Sequence, residues 1–306
     1  MAAYRGEIRR RSLEPIIFRT VNTLLMVLIM IVMLYPFWNT IAVSLNHSQD
    51  TLKGGITLFP RVFSTYNYET VFSNRLLVIA TINSVLRTLL STVLGVFVAA
   101  MIAYVLSRRE FVWRKFATRY FLVTMYVSAG LIPNYFLIRD LGLINNFWVY
   151  ILPSLVSVFN VIVVRSYISS LPQSLFEAAF IDGVGHFRCF ISIVLPCCKP
   201  VLATVALWCA VGAWNSWFDT FIYASSKENL TTLQYEMMKM LAASMSASAS
   251  RSPDAIYNAG QMAGNSVTPV SIRAAITVVA SVPILLVYPF LQKYFVKGVM
   301  IGSVKE

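Results

Sequence analysis

Long uncharged apolar segments alternate with short basic segments along the whole chain. Thr20 to Gln49 contains no charged residue and is longer than the roughly 7–15 apolar residues of a secretory signal. A helix of about 20 apolar residues spans a bilayer. Six segments are predicted to be transmembrane helices on this basis: Val21–Val43, Thr88–Ser107, Tyr120–Ile138, Leu141–Val164, Pro200–Phe218 and Ala274–Gln292.

The composition favours one membrane domain over two soluble ones. Hydrophobic residues make up 58% of the chain and charged residues only 12%, whereas about 25% of the residues in a soluble domain are charged. Pro153 interrupts the fourth segment, which a membrane helix tolerates when neighbouring groups satisfy the carbonyls left free. We therefore predict an all-α integral membrane protein with six transmembrane helices in a single domain, residues 1–306.

The basic residues indicate the orientation in the membrane. The net charge is +12, but the lysines and arginines lie at the ends of the apolar segments. They do not cluster with aromatic residues on a polar domain, so no nucleic-acid partner is expected. With the N-terminus inside, 16 of them fall in cytoplasmic segments and 8 in outer segments. This bias predicts a multi-pass protein of the cell membrane with both termini cytoplasmic. Residues 1–19 and 171–199 are then cytoplasmic, and residues 225–272 are extracytoplasmic.

Two outer loops are long enough to form structure of their own. Residues 46–75 contain several aromatics and predict a small cap over the mouth of the domain. In the longer loop, residues 230–243 have a helical pattern of apolar positions. The low-complexity residues 242–252 that follow bury too little apolar area to order themselves. The longer loop is therefore either a flexible connector or a mobile element that contacts a partner outside the cell.

A polar interlude separates the fourth and fifth apolar segments. Ser174 stands three residues before Glu177, which is the spacing of a capping box. A short helix from Leu175 to Asp182 is therefore expected, with Ser174 as its cap. Gly183 follows, and glycine suits the left-handed residue after the last turn of a helix.

The same interlude predicts an apolar face and a second helix. Phe176, Ala179 and Phe180 are spaced i, i+3 and i+4, so they share one side of the first helix. A second helical piece is expected from Val184 to Leu195. Pro196 should end it, because proline cannot continue a helix from within.

These residues resemble the EAA loop of permease subunits from binding-protein-dependent ABC importers. The matching pattern is Glu177-Ala178-Ala179, three residues, Gly183, nine residues, Ile193, one residue and Leu195-Pro196. Nearly the whole chain is similar to the second permease of carbohydrate importers of the maltose-transporter type, closest to the LplC/YtcP-like subgroup. The similar stretches are INSVLRTLLSTVLG, AYVLSRREF, WNSWFD and VYPFLQKYFVKGVMIGSVK.

The resemblance implies a type I ABC importer permease fold and a set of partners. These are a second, homologous permease subunit, two ATPase subunits that bind ATP and Mg, an extracytoplasmic solute-binding protein, and a sugar or oligosaccharide as substrate. Transport is then by alternating access. The motif helix is implied to be the coupling helix that docks in the ATPase. The implied coupling residues are Glu177, Ala178, Ala179, Phe180, Asp182, Gly183, Ile193, Leu195 and Pro196.

The chain offers no sequence pattern for a catalytic, cofactor or metal site. Its cysteines, Cys189, Cys197, Cys198 and Cys209, include no C-x-x-C pair, and only two histidines occur. A disulfide framework or zinc site is therefore not expected. No convincing pair of catalytic carboxylates and no G-x-x-x-x-G-K-[ST] loop are found. We predict a transporter subunit that is not an enzyme and that itself binds neither cofactor nor ATP.

Two other classes of transporter stay open. An importer of the same architecture would carry amino acids, peptides or metals instead of sugars. A secondary transporter would be driven by ions without ATPase partners. Secondary transporters carry charged residues inside their spans, and the apolar segments of this chain hold almost none.

Polar residues near the outer end of the fifth segment are candidates for the substrate pathway. Trp214 and Trp217 fit an aromatic belt at the membrane interface. Asn215 and Asp219 are spaced i and i+4, so on one helix they would share a face beside the indoles, an arrangement that suits sugar hydroxyls. Arg87 is either a charge in the substrate path or a side chain that reaches the interface, and its place near the end of its segment favours the second reading.

Overall fold

A computed structural model of the chain describes residues 13–250, 268 and 270–286. Within these residues the regular secondary structure is helical, apart from one isolated β-bridge between Asn46 and Phe63. The helices are α1 Leu13–Ser44, α2 Ser48–Thr51, α3 Tyr66–Ser73, α4 Arg75–Ser107, α5 Arg114–Tyr126, α6 Leu131–Asp140, α7 Val158–Ser169, α8 Gln173–Ile181, α9 His186–Cys197, α10 Lys199–Asn215, α11 Phe218–Tyr223, α12 Leu233–Ser250 and α13 Val270–Leu286. Short 3₁₀ turns lie at Phe147–Tyr150, Leu152–Ser154 and Glu228–Leu230.

The first two predicted spans form long unbroken helices. Helix α1 has 32 residues and α4 has 33, so each is about 50 Å long at 1.5 Å per residue. Helix α4 begins well before the predicted Thr88, because the side chain of Asn74 caps it by accepting a hydrogen bond from the Leu76 N–H. Arg87 lies in the N-terminal extension of the predicted span, and it is buried.

The third predicted span, Tyr120–Ile138, is not one straight helix. Helices α5 and α6 are bent by 116° at the break between them. Gly130 stands in that break with φ 86° and ψ 178°, a backbone conformation open mainly to glycine. The bend was not predicted, because hydropathy depends on residue type and gives no information on the direction of the backbone.

The fourth span is interrupted at the predicted proline. Two 3₁₀ turns precede α7, the second of which contains Pro153, and α7 follows at an angle of 49° to them. The prediction of a break is therefore confirmed. Helix α7 continues beyond the predicted span end at Val164 to Ser169.

The fifth and sixth spans also differ in their boundaries. Helix α10 ends at Asn215, before the predicted Phe218, because Ser216 is extended with ψ 126°. Helix α13 covers the first part of the predicted span Ala274–Gln292. The rest of that span lies outside the described residues, as do the C-terminal stretch VYPFLQKYFVKGVMIGSVK and most of the N-terminal segment 1–19.

The lengths of the helices do not by themselves give the six predicted transmembrane helices. Among the described residues, α1 and α4 are long and apolar enough to cross a membrane, and up to five spans result if each of three bent helix pairs forms one span. Helix α13 is apolar but shorter. The six-span topology therefore stays a prediction.

The core is built around α4, which packs mainly against α10 and α7. Small residues of α4, Ala99, Ala100 and Ala103, are buried against Val164 and Val205. Small side chains let helices approach closely, which is how membrane helices gain packing energy. The same core cluster extends to α8 and α9, so the polar interlude is anchored to the central helices.

The two predicted outer loops contain ordered structure. Between α1 and α4, buried Asn67 donates hydrogen bonds to the carbonyls of Ser44 and Asn46, both at 2.9 Å. Arg61 bonds Asp50 at 2.9 Å and thereby holds the pKa of this carboxyl below its usual value. Whether this segment covers the mouth of the domain stays a prediction.

In the second loop, α12 is longer than predicted. It runs past residue 243 to Ser250. The prediction that the low-complexity residues 242–252 bury too little apolar area to hold themselves rigid stays a prediction. Alanine and methionine have high helix propensity and extend an existing helix at little cost. The loop continues through residues that lie mostly outside the described part.

Candidate functional site

The helix that carries the EAA residues, α8, begins earlier than predicted. Pro172 is its N-cap residue, with φ −57° and ψ 133°, and no side chain caps the helix. The predicted capping box of Ser174 and Glu177 is therefore wrong, because Ser174 lies inside the first turn. The ring of Pro172 already holds φ near the helical value and carries no N–H that needs a partner, which favours the earlier start.

One face of α8 is buried and the other is open. Phe176 and Ala179 are buried in the core, as predicted, and Phe180 is half-buried. Glu177 and Ala178 are exposed. Within the part of the chain that the structure describes, the Glu177 carboxylate has no hydrogen-bond or salt-bridge partner. The helix therefore presents an available negative charge to its surroundings.

Large apolar side chains accompany this charge. Ile181, at the end of α8, is 85% exposed, and Phe187, at the start of α9, is 68% exposed. Clustered apolar side chains on a surface are typical of a contact with another protein. The exposed side of the interlude therefore has the character of a docking surface, and we call these residues with Glu177 and Ala178 the coupling surface.

Gly183 ends α8 in the predicted left-handed conformation, with φ 75°. The Gly183 N–H donates to the Phe180 carbonyl at 3.1 Å, and the Val184 N–H donates to the Ala179 carbonyl at 3.0 Å. This pair of bonds is a Schellman motif. Asp182 is the C-cap residue and is exposed. No atom lies within 4 Å of the position a β-carbon would take, so another residue here would meet only backbone strain, about 1–2 kcal/mol.

The second half of the motif lies on α9. Ile193 and Leu195 are partly buried against the core cluster that also holds α8, and Pro196 is exposed. The prediction that the helix ends at Pro196 is wrong, because it continues to Cys197. A π turn at Phe190–Val194 precedes the proline, and such a turn accommodates the missing N–H and the bulk of the ring. The chain then bends by 83° into α10.

Arg108 joins α8 to the end of α4, a contact that the sequence did not predict. It is only 8% exposed. Its guanidinium carbon lies 3.7 Å from the centroid of the Phe176 ring and 4.9 Å from that of Tyr104. Cations over aromatic rings are attracted most strongly where water is excluded. In the sequence Arg108 counts only as one of five bases after the second span, and no local signal marks it as buried.

A second polar site lies where α4, α10 and α11 meet. Arg87 of α4 is 2% exposed. It donates hydrogen bonds to both carboxylate oxygens of Asp219 and to the Ser216 carbonyl, and its guanidinium carbon lies 4.6 Å from the centroid of the Tyr150 ring. The reading of Arg87 as a side chain that reaches the interface is therefore wrong. Its counter-charge lies 132 residues away along the chain, beyond any local pattern.

A cavity of about 390 Å³ opens beside this ion pair. Its wall comes from α4, α7, α10, α11 and the segment before α7, and it combines polar side chains with apolar surface. The lining residues are Arg87, Ser91, Tyr150, Ser154, Ser157, Asn160, Trp208, Cys209, Gly212, Ala213, Ser216 and Asp219.

Among the four predicted pathway residues, Asp219 is the one that lines this cavity. Asn215 and Asp219 do not share a helix face, because α10 ends at Asn215. Trp214 is buried and donates to the Ala280 carbonyl at 2.9 Å, so the aromatic-belt reading of this residue is wrong. Asn215 is exposed and Trp217 half-buried. A role for these side chains in the substrate pathway stays a prediction.

Comparisons with known proteins agree on one family. Residues 91–301 match the family described as "Binding-protein-dependent transport system inner membrane component". The polygalacturonan/rhamnogalacturonan transport system permease protein YtcP of Bacillus subtilis (strain 168) is 33% identical over 271 residues, which are 88% of this chain and 92% of that protein. Protein LplC of the same organism is 34% identical over 88% of each chain.

The fold is also similar to that of a solved transporter. A chain in the crystal structure of a bacterial ABC transporter involved in the import of the acidic polysaccharide alginate superposes with a TM-score of 0.80. The two sequences are 27% identical, and the match covers 95% of this chain and 100% of that one.

Proposed function

The chain belongs to the family of binding-protein-dependent transport system inner membrane components, and we propose that it carries a sugar or oligosaccharide as the permease subunit of an ATP-binding-cassette importer. The sugar class is supported by the names of its relatives. The coupling surface carries the proposal of ATPase docking, since the unpartnered carboxylate of Glu177 and exposed Ile181 lie on the helix that bears the EAA residues, and exposed Phe187 lies at the start of the next helix. The chain is not an enzyme, and we place ATP, Mg and hydrolysis on partner subunits.

The proposed complex contains two permeases, two ATPases and a solute-binding protein. This chain pairs with a homologous permease in the lipid bilayer and receives the sugar from the extracytoplasmic binding protein. Two long helices, three bent helix pairs and α13 are the six segments that would span the membrane. In this arrangement the chain is a multi-pass protein of the cell membrane, residues 1–306 form one permease domain, and residues 225–272 face the binding protein.

In the proposed mechanism, movement of the ATPases is passed to the core through α8 and α9. The coupling residues Glu177, Ala178, Phe180 and Asp182 would contact the ATPase, and Gly183 would set the angle of α8. Both helices are packed into the cluster around α4, α7 and α10, so a displacement of the coupling surface moves these helices with it. Alternate opening of the cavity towards either side would follow.

Uptake by the reconstituted complex tests this function. We expect proteoliposomes that hold both permeases and both ATPases, supplied with the binding protein and internal ATP, to accumulate a labelled oligosaccharide. A labelled amino acid or peptide should not accumulate under the same conditions. Uptake of the amino acid or peptide alone would contradict the carbohydrate assignment, and sugar uptake that persists without ATP would contradict the importer class.

Cysteine labelling tests the orientation. In a variant with the four native cysteines replaced by serine, Ser226→Cys should react with a membrane-impermeant maleimide on intact cells, because its loop is predicted to face outward. Both Ser226 and the matched control Glu110 are exposed on the chain. Glu110→Cys should react only after permeabilisation. The reverse pattern would overturn the placement of the termini in the cytoplasm.

A further inference from the structure

Helix α5 carries positive charge that its own chain does not neutralise. Its sequence contains Arg114, Lys115 and Arg119 and no acidic residue. Lys115 and Arg119 are spaced i and i+4, so they lie on the same face of the helix, and both are exposed. Within the residues that the structure describes, neither forms an ion pair. This face therefore offers two free cations to a negatively charged partner.

Large aromatic rings lie beside these bases at the start of α5. Trp113 is 65% exposed and Phe116 is 63% exposed, and their ring centroids are 5.9 Å apart. Ala117 and Phe121 of the same helix pack against the core cluster around α4 and α7. The packed residues fix the rotation of α5, so the two exposed rings are turned away from that cluster together with the bases.

Arg165 of α7 adds a third base beside α5. Its Nη1 donates a hydrogen bond to the Thr118 hydroxyl at 2.8 Å, and that hydroxyl donates to the Arg114 carbonyl at 2.7 Å. A guanidinium has five N–H donors, so this bond leaves others available. In the described part of the chain Arg165 has no carboxylate partner. Because Thr118 precedes Arg119 in the chain, the three bases lie around one turn of α5.

We propose that the start of α5 binds an anionic phospholipid of the cytoplasmic leaflet; this rests on the proposed placement of the segment between α4 and α5 on the cytoplasmic side. The residues of this lipid surface are Trp113, Lys115, Phe116, Arg119 and Arg165. The bases hold the lipid phosphate, and each base near a membrane surface raises the affinity for anionic lipid about fivefold. The two rings lie at the level of the headgroups, where tryptophan is enriched in membrane proteins.

The aromatic rings favour lipid over an acidic protein as the partner. Positive charge alone would suit either of them. Helices that lie in the membrane interface combine Lys and Arg on the polar side with Trp and Phe on the apolar side. The start of α5 has both features, with Lys115 and Arg119 beside Trp113 and Phe116, and α5 belongs to a helix pair apolar enough to cross a membrane.

Site-directed fluorescence quenching tests the proposal on the whole importer. Val112 is exposed next to Trp113, so Val112→Cys carries a bimane label in a complex of both permeases and both ATPases without other cysteines. The complex is placed in nanodiscs of phosphatidylcholine and phosphatidylglycerol, and one lipid or the other carries bromine on its acyl chains. Quenching then measures which lipid contacts the label.

We expect phosphatidylglycerol to be preferred over phosphatidylcholine at the label by at least about fivefold at low salt. The preference should weaken at high salt, because salt screens exposed charges. Equal quenching by the two brominated lipids overturns the proposal. Absence of quenching by both lipids also overturns it, because another protein subunit then covers the surface.

A matched pair of double variants locates the binding. Lys115→Gln with Arg119→Gln removes two exposed bases of the lipid surface. The control, Lys227→Gln with Arg75→Gln, removes the same residue types at exposed positions, and Arg75 begins α4 at the end opposite the lipid surface. We expect the preference for phosphatidylglycerol to fall below about twofold in the first variant and to stay unchanged in the control. Equal losses in both variants would show an effect of net charge and overturn the proposal.

The same variants distinguish lipid from an ATPase subunit as the partner. Co-purification of the ATPases with the permeases is measured alongside the quenching. If Lys115→Gln with Arg119→Gln releases the ATPases and keeps the preference for phosphatidylglycerol, the bases belong to a subunit contact and the proposal is overturned. Retained ATPases with a lost preference support the lipid surface.

The outcome is separable from that of the proposed function. Both leaflets of the nanodisc contain phosphatidylglycerol, so the quenching depends neither on the orientation of the chain nor on the sugar. Normal sugar uptake without a preference for phosphatidylglycerol rejects the lipid surface and leaves the importer assignment intact. A preference that Lys115→Gln with Arg119→Gln removes, in a complex that takes up no sugar, supports the lipid surface and contradicts the importer assignment.

Discussion

Replacing Glu177 with alanine is expected to release the ATPase subunits from the permease, whereas replacing Ser174 with alanine is not. The Glu177 carboxylate is exposed and caps nothing in the fold, so its loss should leave α8 intact. Loss of a partly buried charged hydrogen bond at a subunit contact costs about 2–5 kcal/mol. The dissociation constant of the ATPase should therefore rise by about 30-fold or more, and sugar uptake should fall with it.

The comparison rests on two further variants of α8. Ser174→Ala should bind the ATPase with unchanged affinity, because Ser174 makes no capping hydrogen bond. Glu177→Gln keeps the shape of the side chain and should lose only part of the affinity. Co-purification of the ATPase and titration onto nanodisc-embedded permease measure all three. Should Glu177→Ala retain the ATPase as well as Ser174→Ala does, Glu177 is not a docking residue.

Arg108→Ala is expected to uncouple transport while the ATPase stays bound. The guanidinium of Arg108 holds the Phe176 ring of α8 against the end of α4 at 3.7 Å, and a desolvated cation–π contact contributes about 2 kcal/mol. Without it α8 can shift without moving α4. We expect sugar uptake, and the stimulation of ATP hydrolysis by the binding protein, to fall about 10-fold or more.

The neighbouring arginine provides a matched control. Arg109 carries the same charge but is exposed, so Arg109→Ala should reduce uptake by less than about twofold, as is usual for surface substitutions. A double-mutant cycle of Arg108→Ala with Phe176→Leu should show that the two changes are not additive, since both break one contact. Additive effects, or equal losses of sugar uptake in Arg108→Ala and Arg109→Ala, would contradict the proposal that Arg108 couples α8 to α4.

Local chemistry made part of the candidate site predictable. Gly183 was identified as the left-handed residue because glycine alone adopts that conformation without strain, and its φ is 75°. The buried face of α8 followed from the spacing of Phe176 and Ala179. The capping box failed although its spacing was correct, because Pro172 starts the helix before Ser174 and leaves the serine inside the first turn.

Apolar runs located helical segments but did not predict their shape. Hydropathy identifies residues that avoid water, and this sufficed for α1 and the greater part of α4. It contains no information on backbone direction, so the 116° bend between α5 and α6 and the end of α10 at Asn215 were not predicted. Pro153 is the exception, because a proline lacks a backbone N–H and its ring crowds the preceding turn. Proline does not break every helix, however, since α1 continues through Pro36 and α9 through Pro196.

The sequence alone determined the helical class, the apolar segments and the EAA residues, because these depend on residues that are neighbours along the chain. Tertiary structure alone decided which charges are paired and which are free. Arg87 meets Asp219 across 132 residues, Arg108 meets Phe176 at the junction of two helices, and Glu177 meets no partner among the described residues. A charge buried in low dielectric is stable only beside its counter-charge or another favourable group, and packing decides which residue supplies it.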